Sequence, residues 1–180
     1  MEEEIKLRVA DHAPVRERLR SRGARLAVGE QFERNWVLDD DGARLATGGC
    51  LLRVRRWGER SSLTFKGPPS FVGGVKRREE VESDVADPSA ILGILAGLGF
   101  VVRRRYEKRR ETWTVGDAEV ALDTTPMGLF VEIEGPADAL PALARDLGLD
   151  PAGALRGSYV ALWEAYRADH PETGDDMVFT

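Results

Sequence analysis

Residues 1–9 read MEEEIKLRV, with charged and aliphatic side chains alternating from Glu4 onward. In an extended chain successive side chains point to opposite faces, so Glu2, Glu4 and Lys6 share one face and Ile5, Leu7 and Val9 the other. Such a strand buries its apolar side. Its charged side either meets water or looks into an enclosed site, and the strands it joins decide between the two.

The same alternation recurs along the chain. Arg53 and Arg55 alternate with Leu52 and Val54, and Thr64 and Lys66 with Leu63 and Phe65. Arg78, Glu80 and Glu82 share a period of two, as do Lys108, Arg110 and Thr112, and Glu132 and Glu134 enclose Ile133. Any one of these strands is ordinary for the solvated face of a sheet. Their number shifts the reading. In an open sheet the charged face is free in water; in a closed sheet the apolar side faces outward to covering helices and the charges line a lumen.

Ions inside a barrel are costly unless they are paired or hold ligands. Glu2, Glu4, Asp123, Glu132 and Glu134 form an acidic set suited to a hard divalent cation, which prefers oxygen ligands. Lys6, Arg53, Arg55, Lys66, Arg78, Lys108 and Arg110 form a basic set suited to phosphate oxygens, arginine offering a bidentate fork. Both sets together match a metal-bound polyphosphate.

Strands are expected over Gln31–Leu38, Cys50–Trp57, Ser61–Lys66, Arg77–Val85, Tyr106–Val115, Ala118–Asp123 and Leu129–Glu134, separated by Gly- and Asp-rich turns that include Gly73–Gly74. EIKLRVADHAPVRERL from Glu4 and EVESDVADPSAILGIL from Glu80 resemble each other. Each reads as a charged strand, then Asp11 or Asp87 as helix N-cap, then a helix closed near Gly23 or Gly99, an internal half-repeat. Two further helices are expected, one after Pro136 with Leu140, Leu143 and Leu147 on one side, one from Ser158 to Asp169.

A chain of 180 residues can bury one core of its own, and residues 1–170 read as one domain with a polar, loosely attached tail over 171–180. The single cysteine, Cys50, excludes an intramolecular disulfide and fits a cytoplasmic protein. The acidic, patterned opening does not read as a signal peptide. The longest apolar run, Ala90 to Val102, is too short for a bilayer, so no membrane partner is expected. A net charge of -5 argues against a nucleic-acid polymer as partner. A monomer or homodimer is expected. His12 and His170 read as surface residues, Cys50 as a buried packing residue, and Arg103–Arg105 as a solvated stretch of strand. Trp36, Trp57 and Trp163 read as packing residues, with Trp57 or Trp113 as candidates for stacking on a base at a tunnel mouth.

In order, the charged strands resemble the CYTH domain, or triphosphate tunnel metalloenzyme, family. The matching elements are Glu-x-Glu-x-Lys at Glu2–Lys6, Asn-x-x-x-Asp at Asn35–Asp39, Leu-Arg-x-Arg at Leu52–Arg55 and Thr-x-Lys-Gly-Pro at Thr64–Pro68. They continue with Arg-x-Glu-x-Glu at Arg78–Glu82, Lys-x-Arg at Lys108–Arg110, Leu122-Asp123, Gly128-x-Phe130, Glu132-Ile133-Glu134 and Ser158-Tyr159. The resemblance runs from residue 2 to about 167. It implies an α+β fold, a closed eight-stranded antiparallel β-barrel with a charged lumen and about four flanking helices. It implies Mg²⁺ or Mn²⁺ held by Glu2, Glu4, Asp123, Glu132 and Glu134, and a small-molecule triphosphate gripped by the basic set. Glu4 and Lys6 would act in catalysis, with Glu80 and Glu82 in support. The chain departs from the family pattern at Trp113, at Thr125–Met127 and at Gly157, where a lysine is usual and Arg156 is the candidate substitute.

The resemblance implies hydrolysis of inorganic triphosphate, thiamine triphosphate or a nucleoside triphosphate. The alternatives are a class IV-type adenylate cyclase, forming cyclic AMP and pyrophosphate from ATP, and a non-catalytic polyphosphate- or nucleotide-binding module.

Overall fold

A computed structural model describes residues 1–72 and 74–180; Gly73, part of one expected turn, lies outside the described residues. The strands are β1 (Glu2–Val9), β2 (Arg25–Asp39), β3 (Leu51–Trp57), β4 (Arg60–Lys66), β5 (Ser70–Val72), β6 (Val75–Arg78), β7 (Glu80–Asp84), β8 (Val101–Val115), β9 (Ala118–Thr125) and β10 (Gly128–Glu134). The helices are α1 (Ala13–Ser21), α2 (Arg44–Thr47), α3 (Pro88–Gly97), α4 (Leu140–Asp146) and α5 (Tyr159–Asp169). The described residues form ten strands and five α-helices, within which the expected eight-stranded ring is found, and α2, a single short turn, adds to the expected four helices.

The sheet is antiparallel, in the order β5-β6-β1-β10-β9-β8-β2-β3-β4-β7. Its two ends are one stretch of chain. β6 pairs with β1 through Glu2↔Arg78, while β7 pairs with β4 through Lys66↔Glu80, and only Glu79 separates β6 from β7. The Glu79 carbonyl accepts from Gly67 N at 2.9 Å, just past the end of β4. Counted as one wall, β6–β7 closes a ring of eight with β1, β10, β9, β8, β2, β3 and β4, and β5 is an outlying hairpin strand. This split of the expected Arg77–Val85 strand is how the tunnel closes: its first half serves one edge and its second half the other. The parity survives, so Arg78, Glu80 and Glu82 all face inward.

The outward faces make the core. Ile5 and Leu7 of β1, Val120 and Leu122 of β9, and Val131 and Ile133 of β10 pack against Val15 and Leu19 of α1 and Leu140, Ala144 and Leu147 of α4. Leu38, Leu52 and Val54 pack against Leu95 of α3. Each α1 or α4 leucine carried into this layer adds roughly 1.5–3 kcal/mol of burial free energy. Asp87 caps α3, accepting from Ser89 N and Ala90 N, with Pro88 in the first turn, as its sequence demands. Its counterpart Asp11 accepts only from Ala13 N, and His12 takes the cap position.

Three sequence expectations are corrected here. His12 is buried, its Nε2–H donating to the Phe130 carbonyl at 3.0 Å. Trp113 lies in the outer core, its indole N–H on Glu111, and is at no tunnel mouth. The tail is docked: β8 pairs with β9 only from Arg109 onward, and the edge left free is taken by a parallel bridge between Met177 and Tyr106. Met177 N donates to Arg105 O (3.0 Å), Glu107 N to Met177 O (2.7 Å), and the Met177 side chain is buried with Tyr106, Tyr159 and Trp163. Among the described residues no helix is long and apolar enough to cross a membrane.

Candidate active site

Thirteen of the fourteen side chains singled out from the sequence line one cavity of about 370 Å³ inside the ring. The fourteenth, Asp123, lies directly behind this lining and is wholly buried. Eight cationic and seven acidic side chains face the cavity, so the space is highly charged with little net charge.

Strand register sets opposite charges side by side. Lys6 is opposite Glu132, Arg110 opposite Asp123, Lys108 opposite Glu33, Lys66 opposite Glu80, Arg78 opposite Glu2 and Lys76 opposite Glu4. Such cross-strand pairs stabilise a sheet, and here they also offset the cost of burying ions. Most become contacts. Lys6 Nζ is 3.0 Å from Glu132, Lys76 Nζ 2.5 Å from Glu4, and Lys108 Nζ 3.1 Å from Asp123 and 3.6 Å from Glu33. Arg110 forks onto Asp123 at 2.7 and 2.6 Å and also reaches Glu132. Lys66 bridges the closure, 2.6 Å from Glu2 and 2.8 Å from Glu80.

Arg53 donates to the Tyr106 hydroxyl and to Thr64 Oγ1, both at 3.2 Å, and Thr64 donates to Glu82 at 2.5 Å. Arg55 lies between Glu82 and Glu33, at 3.8 and 3.9 Å. Arg78 differs from the other bases. Its guanidinium donates to the carbonyls of Gly67, Lys66 and Gly49, so it ties the β4 end and the turn before β3 to β6.

The electrostatics follow from these contacts. Burial opposes the charge on Lys6, yet Glu132, Glu4 and Asp123 raise its pKa above the ordinary lysine value. Burial would lift Glu132, and Lys6, Arg110 and Lys108 hold it well below the carboxylate range instead. Burial and then Asp123 push Tyr159 up; its hydroxyl donates to Asp123 at 2.6 Å. Tyr106 goes the other way, because Arg53, Lys108 and Arg55 outweigh its burial. Glu134 is the exception among the acids. Burial, followed by the charge of Glu2, pushes it up to about 7, with Lys66 only partly offsetting them.

Glu134 stands directly opposite Glu4 in the register, a like-charge pair that destabilises a sheet. Glu2 Oε2 is buried without a hydrogen-bond partner among the described residues. Crowded carboxylates with an orphaned oxygen fit a hard divalent cation. Glu2, Glu4, Glu132 and Asp123 are turned onto lysines and arginines, and among the described residues no three metal-ligating side chains converge as a ready-made cluster.

Sequence reasoning missed Lys76, Glu33, Glu119, Tyr106 and the tunnel role of Tyr159. Lys76 had a signal, since it stands two residues before Arg78, and Glu33 stands two before Asn35. Tyr159 was marked by the Ser158-Tyr159 element though not as a tunnel residue, and Tyr106 had no signal, because an inward aromatic is indistinguishable from a packed one in sequence. Lys6 donates to the Gly157 carbonyl at 3.4 Å. Arg156, the expected substitute for the missing lysine, lies outside the tunnel with its guanidinium over Phe71.

The tunnel shares wall residues with a further space at each end. Towards Leu51 and Ser158 it meets a mainly apolar chamber of about 590 Å³; Cys50 sits half-buried in that wall rather than in a core. Towards Trp57 it meets a polar recess of about 280 Å³ that shares Arg55, Glu82, Arg110 and Glu119 with the tunnel.

The sequence model of the CYTH domain family matches residues 1–158. No curated protein matches the chain. Among solved structures, a candidate adenylate cyclase from Vibrio parahaemolyticus superposes with a TM-score of 0.81 at 21% identity, covering 91% of this chain and 98% of that one. A Pyrococcus horikoshii protein does so at 0.75 and 24% identity, covering 90% and 99%. A candidate adenylyl cyclase from Hippeastrum, with a dominant triphosphatase activity, gives 0.69 and 19% identity, covering 92% and 96%. Identities this low speak to the fold.

Proposed function

The chain belongs to the CYTH domain family, and from that premise we propose that it is a divalent-metal-dependent hydrolase of a small triphosphate bound inside the tunnel. The observation that carries this reading is the convergence of eight bases and seven acids on one cavity of about 370 Å³. Glu2, Glu4, Glu132 and Glu134, with Asp123, would hold Mg²⁺ or Mn²⁺. When bound, the cation supplies Lewis-acid neutralisation of phosphate oxygens.

The chain's own residues supply positioning and fixed charge, the main requirements of phosphoryl transfer. Lys6, Arg53, Arg55, Lys66, Arg78, Lys108 and Arg110 bind phosphate oxygens, and Lys76 joins them. Apart from Arg78, which is tied to backbone carbonyls, they are already largely desolvated and held by carboxylates, so little reorganisation is needed when a polyanion replaces those partners. Glu4 accepts a proton from the attacking water. Lys6, held protonated by Glu132 and Glu4, neutralises charge in the transition state. Glu80 and Glu82 orient Lys66, Arg53 and Arg55.

Tripolyphosphate, thiamine triphosphate and ATP, each incubated with Mg²⁺ and with Mn²⁺, test this reading. Release of orthophosphate is expected. The apolar chamber beside the tunnel, and the Vibrio neighbour's name, favour a second reading as an adenylate cyclase, which the same ATP reaction would reveal as cyclic AMP with pyrophosphate. Binding without any product would leave the non-catalytic module.

A further inference from the structure

The two ends of the tunnel differ in chemistry. They lie at opposite ends of the same strands: Val37, Leu38 and Leu51 border one, and Gln31, Glu33 and Trp57 the other. The recess beside Trp57 is small and polar. The chamber at the other end has about 590 Å³, within the ~300–1,000 Å³ usual for small-molecule sites. Leu51, Lys76, Arg78 and Ser158 border both the chamber and the tunnel, so the chamber adjoins the end of the tunnel where a polyanion would be gripped.

Val37, Leu38, Ala46, Pro69, Val160 and Ala161 give the chamber its apolar surface. Most polar groups around it are already engaged, and Arg156, whose guanidinium lies over Phe71, is the one bordering cation without a hydrogen bond or ion pair among the described residues. Asp39 accepts from the N–H groups of Asp40, Leu45 and Ala46 at 2.8–2.9 Å. Arg103 is held by Asp40 O and Asp41, Arg104 by Glu164, and Ser158 Oγ accepts from Ala161 N at the start of α5.

We infer that this chamber seats the organic group of an organic triphosphate whose phosphates lie in the tunnel, and that it recognises that group by apolar burial and shape rather than by hydrogen bonds to a particular base edge. The inference rests on the triphosphate reading and narrows it. Inorganic triphosphate would leave the chamber to water. A site built of buried hydrogen-bonding groups can discriminate by 10⁴–10⁵, whereas apolar pockets typically discriminate by only ~10–200-fold. Exchange of one nucleobase for another is therefore expected to matter little, and removal of the base to matter more.

The test compares kcat/KM for ATP, GTP, CTP, UTP and tripolyphosphate, in wild type and in the chamber-filling variants Ala46→Phe and Ala161→Phe. The four nucleotides are expected within about tenfold of one another and at least about tenfold above tripolyphosphate. Each filling variant is expected to lower the ATP-to-tripolyphosphate ratio by about tenfold or more. Tripolyphosphate used as well as ATP, one base preferred by more than about a hundredfold, or filling variants that lower both substrates equally would each overturn the inference. If no triphosphate is turned over, the hydrolase reading fails by itself. Titration calorimetry with ATP and tripolyphosphate then gives the same ratio as binding constants, and equal affinities overturn the inference.

Discussion

The segments Glu2–Ser21 and Glu80–Gly97 start from similar sequence and settle into different surroundings. β1 has a partner on each side, β6 and β10, and its inward residues Glu2, Glu4 and Lys6 are 8%, 7% and 4% exposed. β7 pairs with β4, and its inward Glu82 side chain is 37% exposed. The helices diverge as well. α1 lays Val15 and Leu19 into the main core and turns arginines outward; α3 carries no charge and leaves Ile94, and Leu98 just past its end, exposed. The same period of two aims charges inward in both segments. How deeply they are buried, and so how much each is worth, depends on the neighbouring strands.

Substitutions along the two strands should separate these environments. The largest effect is expected for Glu4→Gln, which removes the proposed proton acceptor and leaves Lys76 facing a neutral amide. kcat should fall by ~10²–10⁴-fold, with a cooperative urea transition showing that the fold persists; turnover near wild type would remove Glu4 from the mechanism. Glu82→Gln on β7 should cost about tenfold or less in kcat/KM, since Arg53 keeps Tyr106 and Thr64 as partners. A loss as large as that for Glu4 would mean that the strands are functionally equivalent.

Glu134, opposite Glu4, allows a pH test in the metal-free protein. Its folded pKa of about 7 lies above the ordinary glutamate value of 4.5, so the folded state binds the extra proton more readily. Stability from this group is full below about pH 4.5 and is lost as pH rises through about 7. Glu134→Gln should therefore raise the melting temperature relative to wild type at pH 8 and make no difference near pH 4. The opposite trend would show that a nearby cation holds the carboxylate ionised.

The smallest effect is expected for Glu3→Gln. Glu3 faces away from the tunnel, where it pairs with Arg77 at 2.8 Å and accepts from Ala137 N at 2.9 Å. Activity should stay within about twofold and stability should fall by ~0.5–1.5 kcal/mol, measured by urea unfolding.

Much of this was legible in the sequence because direction along a strand is a local property. Glu2, Arg53, Lys66, Lys108 and Glu132 could be assigned inward from their own neighbours alone. Lys76 and Glu33 obeyed the same rule but stood near the ends of the expected strands, where patterning is weakest. The docking of Met177 left no trace, because the free edge of β8 that receives it exists only once β9 has ended its pairing at Arg109. His12 was misread for a related reason: its acceptor, the Phe130 carbonyl, is 118 residues away.

By itself the sequence determined the alternation of charge and apolar side chains, the cap at Asp87, and the chemistry of a tunnel wall, since each depends on residues a few positions apart. The tertiary structure decided how that wall is joined. It broke one expected strand at Glu79 so that its halves serve opposite edges of the sheet, and it set the registers that place Lys6 against Glu132 and Glu134 against Glu4. Those pairings join residues far apart along the chain, and no local pattern specifies a register between them.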